Sequence, residues 1–161
     1  MANATIDNVL NSVVSGVASL NLQAGGVTIP VVKRKLPLKE ETIDPATQFV
    51  VSMAEALPRP ARFCAAMLLY ELRVEVTLIT PNRSDYVGSI PQLSDWYGQV
   101  RGYFAATSTA KGAFPVTVPA GADVVWMVKP DAGAFLDRPR LNFAYDYQTQ
   151  VVSVWILTRT R

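Results

Sequence analysis

The segment Leu69-Tyr-Glu-Leu-Arg-Val-Glu-Val-Thr-Leu-Ile-Thr80 constrains the fold more than any other part of the chain. Leu72, Val74, Val76 and Leu78 fall on one side of an extended backbone, and Arg73, Glu75 and Thr77 on the other. A side-chain period of two belongs to a β-strand, whereas a helix would scatter the same residues around its circumference. One face of this strand therefore belongs to a core, and the other meets water or an interface. Such a sheet needs apolar cover on one side.

The chain supplies that cover twice. Ile6, Val9, Leu10, Val13, Val14, Val17 and Leu20 recur at helical spacing, giving a full apolar stripe that ends at Gly25-Gly26. A second helix is expected from about Pro91 to Ala106, with Leu93, Trp96, Tyr97, Val100, Tyr103 and Phe104 on its apolar side. Further strands are expected at Val27–Leu36, with Pro30 at an edge or bulge, at Gln48–Ala54 and at Val124–Val128. Leu57-Pro58-Arg59-Pro60 reads as a rigid turn. Near the end, Leu141, Phe143, Tyr145 and Tyr147 alternate, then Val152, Val154 and Ile156, so a C-terminal hairpin turning at Asp146–Gln150 is expected. The expectation is a single α+β domain over residues 1–161: an antiparallel sheet with two main helices packed mostly on one face. Long loop arms are expected at about 36–47, 80–90, 107–115 and 129–139.

Chemistry is constrained by absence. The 161 residues contain no histidine and one cysteine, Cys64. No Ser-His-Asp triad, Cys-His pair or standard zinc site can be assembled from them. Gly25-Gly26 lacks the context of a phosphate loop, and Asp131 and Asp137 lack the dense oxygen ligands of a calcium loop. Glu40, Glu41 and Asp44 read as a solvated acidic loop. We expect no catalytic residue, no metal, no cofactor and no enzymatic activity. Net charge is +2, too small to draw nucleic acid or an anionic membrane by bulk electrostatics. A lone cysteine fits a reducing compartment, and neither a secretory signal nor a membrane span is expected.

Charged residues make up 17% of the chain, against about 25% in an ordinary soluble domain. A surface so short of charge suits a protein whose neighbours cover it. The first helix repeats the theme, because Asn8, Asn11, Ser12, Ser15 and Ser19 oppose its apolar stripe, small and uncharged. Those residues are candidates for a subunit interface, the alternative being a low-charge solvated face. The basic triplet Lys33-Arg34-Lys35 joins them as a candidate; it also reads as a guard on a sheet edge. Any contact it makes with DNA is expected to be to phosphate.

This order of elements, a long N-terminal helix, the alternating strand Leu69–Thr80, a middle helix, then Arg140–Tyr147 and Val151–Thr160, resembles the tail-terminator and neck (head-tail joining) proteins of tailed bacteriophages. The resemblance spans most of the chain and is one of order and size, without a diagnostic motif. Apolar segments between Phe114 and Phe135 are additional to the minimal family pattern. The resemblance implies a structural virion protein, located in the tail-neck region and assembled in the host cytoplasm. It implies a homo-oligomeric six-fold ring that caps the tail tube, meets the head connector and leaves a channel where DNA passes. The alternative reading is a small-ligand binding module with an aromatic-lined pocket around Trp96, Tyr97 and Trp126.

Overall fold

A computed structural model describes residues 3–34, 47–54, 59–64, 67–81, 86–109, 124–135, 137 and 145–159. The apolar stripe forms helix α1 (Asn3–Ser19). Its last turn tightens as Leu20 N–H donates to Val17 O and Asn21 N–H to Ala18 O, and Asn21 adopts a left-handed φ of 48°. This is a common helix stop, since asparagine tolerates that conformation. A small hairpin follows, of β1 (Gln23–Ala24) and β2 (Val27–Thr28). Gly25 and Gly26 link them at φ 58° and 82°, the two positive values a tight hairpin turn demands.

Pro30 divides the expected strand 27–36: beyond it, β3 (Val31–Lys33) leaves the hairpin and joins the main sheet. The chain continues through β4 (Gln48–Met53), β5 (Arg59–Cys64), β6 (Met67–Pro81), α2 (Tyr86–Thr109), β7 (Val124–Ala134) and β8 (Tyr145–Arg159). The main sheet runs β3-β4-β6-β8-β7, and β5 also pairs with β6. Its ladders are antiparallel except β3–β4, which is parallel, so the expected all-antiparallel sheet is in fact mixed.

The α+β class and the one-sided placement of helices stand. Val9, Leu10, Val13 and Val17 of α1, with Leu93, Trp96, Val100 and Phe104 of α2, share one core with Phe49, Val51, Leu72, Val74, Val76, Leu78, Val152, Val154 and Ile156. Each fully buried aliphatic contributes about 1.5–3 kcal/mol relative to exposure. The helices meet at Gly16, where a Cβ would stand 2.7 Å from the Tyr103 ring. A side chain there would displace that ring.

Five expectations need correction. No turn occurs at Asp146–Gln150: β8 is continuous and pairs with β6 from Met67↔Arg159 to Pro81↔Tyr145. Its polar stretch carries no glycine, proline or asparagine, and Gln148, Thr149 and Gln150 are buried in the sheet. Helix α2 begins at Tyr86, five residues before Pro91, because a proline this near the start forfeits only one backbone bond. The arms expected at 80–90, 107–115 and 129–139 shrink accordingly: α2 occupies 86–109 and β7 runs to Ala134, while 36–46 and 110–115 lie outside the described residues. Arg59 and Pro60 belong to β5 and so are not part of a turn.

The fifth correction concerns the sheet's other face, expected to be wet or at an interface. Gln48, Val50, Ser52, Thr77, Ile79 and Tyr147 are all fully buried there, and Glu75 nearly so. Val50, Ile79, Tyr145 and Tyr147 form a second small core with Val32 against it. Both faces of the central strands are thus interior within a single chain.

Candidate functional site

The proposed interface residues separate into two groups. Asn11, Ser15 and Ser19 are exposed on α1, joined by Ala18. Ser12 is buried and Asn8 half-buried, so the uncharged face is narrower than spacing suggested. Ser12 Oγ donates to Asn8 O at 2.9 Å, and Ser19 Oγ to Gly16 O at 2.7 Å. Both hydroxyls are thereby tied to their own helix.

The basic triplet is also dispersed. Lys33 Nζ donates to Asp7 Oδ1 at 2.5 Å and to Asn11 Oδ1 at 2.8 Å, tying β3 to α1. The hydrogen bond from Lys33 holds the Asp7 carboxyl below its ordinary pKa. Arg34 N–H donates to Val51 O, prolonging the β3–β4 ladder. Lys35 lies outside the described residues, as do Glu40, Glu41 and Asp44. Lys33 therefore spends its charge within the chain.

A polar network crosses β6, β8 and β7. Arg73 Nη2 donates to Asp131 Oδ2 at 3.0 Å, Ser153 Oγ to Glu71 Oε1 at 2.7 Å, and Thr77 Oγ1 to Glu75 Oε1 at 2.8 Å. Arg101 of α2 reaches the Asp131 main-chain oxygen at 3.1 Å. Each carboxylate here accepts from a neighbouring donor, so the network fastens strands and helix together. Asp131 is part of β7, where a loop was expected. Among the described residues no three acidic or cysteine side chains are grouped to hold a metal.

The aromatic pocket does not form as expected. Tyr97 packs edge-on against Phe135, with ring centres 5.8 Å apart, and the Trp126 side chain lies outside the described set. Trp96 instead lines a groove of about 330 Å³ where the sheet, hairpin and α2 meet. The hairpin contributes Gly25, Val27 and Thr28, the strand ends Thr80 and Asp146, and α2 adds Ser89, Gln92 and Leu93. Val27 is 70% exposed at its rim, and Ile90 of α2 is also exposed.

Asp146 is the residue that sequence reasoning missed. It is 6% exposed and lines the groove, and among the described residues no hydrogen bond or ion pair reaches its carboxylate. Burial raises its pKa. The available signal was the lack of turn-forming residues after it, which argues for strand continuation.

The outer face of α2 is distinctive too. Ser94, Gly98, Gly102, Ala105 and Ala106 are exposed, and a Cβ at Gly98 or Gly102 would meet nothing within 4 Å. Among the described residues nothing requires either glycine. In comparisons with known proteins, no family model matches the chain and no curated protein matches its sequence.

Proposed function

We propose that this chain is a structural virion protein of a tailed bacteriophage, a tail terminator or related neck component. Its copies form a homo-oligomeric ring that caps the tail tube and joins it to the head connector. The observation that carries this reading is the pair of open glycines on α2. A glycine inside a helix costs roughly 1 kcal/mol relative to alanine, and among the described residues no contact requires that cost. Close approach by another backbone supplies a reason. The exposed Asn11, Ser15 and Ala18 of α1 and the exposed Val27 tip agree with it, as does the 17% charge content. A repeated heterologous contact whose rotation closes gives a ring and needs no chemistry. DNA passing through the channel meets phosphate-directed, sequence-independent contacts at most.

Native mass spectrometry and sedimentation of the purified chain test the reading. One closed stoichiometry is expected, six copies if the family resemblance holds, and Ser15→Glu is expected to leave a folded monomer that assembles poorly. A buried unpaired charge at a subunit contact costs several kcal/mol, while at a solvated position the same change stays within about 0.5 kcal/mol. Unimpaired assembly of Ser15→Glu removes α1 from the interface; a chain that stays monomeric at every concentration overturns the ring. The alternative, a small-ligand binding module, draws on the groove beside Trp96 but loses Tyr97 from its aromatic wall.

A further inference from the structure

We propose that the groove between the β1–β2 hairpin, the ends of β6 and β8 and the first half of α2 binds an organic cation, a guanidinium or alkylammonium group. Asp146 holds it by charge, and Trp96 walls it. The site stands on the groove alone and does not depend on ring formation.

The ladder fixes Asp146 opposite Thr80, two steps along from Leu78↔Gln148. That parity turns its side chain to the helix-bearing face, where the groove opens. The Asp146 residue is largely withdrawn from solvent, and an ionised carboxylate in such a place is disfavoured until a cation or strong donors compensate it. Among the described residues none does, and the groove gives a compensating group a way in. The sign of the ligand follows from the lining, which among the described residues contains no lysine or arginine and one charged group, Asp146. An anion finds no counter-charge there.

The rest of the wall suits the same guest. An indole attracts cations through its negative face, and Trp96 is nearly as buried as Asp146. The Thr80 hydroxyl and the Gln92 amide offer oxygen acceptors for the remaining N–H groups of a guanidinium. Ser89 of the first turn of α2 also lines the groove, while Gln92 and Trp96 lie beyond that turn. A volume of about 330 Å³ matches one extended cationic side chain or a small free amine, at the lower end of ordinary ligand pockets.

The test is calorimetric titration of the full chain with agmatine and, separately, with the peptide acetyl-Gly-Arg-Gly-amide. We expect saturable binding of one cation per chain, weakened about ten-fold or more in Asp146→Asn, as loss of a charge-assisted contact requires. Asp95→Asn, at an exposed carboxylate on α2 outside the groove, should bind as the unmodified chain does. Inorganic phosphate should not compete. Tighter binding of agmatine identifies a free small molecule as the source of the cation, and tighter binding of the peptide identifies a protein side chain. Absence of saturable binding by either probe, or equal affinity in Asp146→Asn, overturns the proposal.

Discussion

Replacing both Gly98 and Gly102 by alanine separates what the isolated chain wants from what an assembly wants. In the free chain a methyl group at either position meets nothing within 4 Å, so neither substitution meets a steric cost. Each alanine should recover about 0.8–1.0 kcal/mol of helix propensity, and the pair about 2 kcal/mol. For a domain of this size that is a rise in Tm of roughly 4–8 °C. Urea unfolding followed by far-ultraviolet circular dichroism, at a concentration where the chain is monomeric, measures the gain as a higher midpoint with an unchanged slope. In the assembled state the added methyl groups hold a facing backbone away, so the same variant should assemble more weakly. A monomer that gains no stability would refute the open-space reading of α2. A stabilised monomer that assembles normally would show that contact between subunits lies elsewhere.

Three further outcomes are expected. Gly133→Ala should destabilise by about 1–3 kcal/mol in chemical denaturation, because its Cβ would stand 2.6 Å from the Thr149 main-chain oxygen, an atom unable to swing aside. Gln148→Met should stabilise by about 1–2 kcal/mol, since the Gln148 amide is buried with neither nitrogen nor oxygen partnered among the described residues. Asp146→Asn should raise stability at neutral pH: the folded-state pKa lies above the ordinary 3.8, so ionisation disfavours the fold. That advantage should be absent below pH 3.8, appear as pH rises past it, and level off above the raised pKa, as thermal melts across the acid range will show.

What the sequence discloses here is periodicity, and what it hides is polarity put to structural use. Val9, Val13 and Val17 announce α1, and Leu72 to Leu78 announce β6, because each repeats at the pitch of its element. The strand β8 is obscured by Asp146, Gln148, Thr149 and Gln150, which look like a turn by composition yet sit inside the sheet. Proline at 91 disguises the start of α2, since proline is favoured at a helix's first position and tolerated slightly later. The β3–β4 parallel pairing leaves no local trace, being set by where the chain returns to the sheet. The groove was equally illegible: Gly25, Thr80, Trp96 and Asp146 are distant in the chain and converge only through the fold. The interface candidates were half legible, because helical spacing told which side of α1 lacked charge but not that α2 crosses near Gly16 and Ser12 falls inside.

The place of β8 between β6 and β7 also sets the order in which this molecule can form. Every rung of the β6–β8 ladder joins residues 67–81 to residues 145–159, and β8 is synthesised after the other described strands. At ribosomal rates of about 5–20 residues per second, β6 emerges several seconds before the strand that completes it. During that interval Leu72, Val74 and Val76 can rest against β4, β5 and the two helices, while one hydrogen-bonding edge of β6 stays open. Such non-local pairing places folding in the slow, millisecond-to-second range. Until β8 pairs, that open edge of β6 is a template on which another extended chain can pair, which is the hazard of any unpaired strand edge.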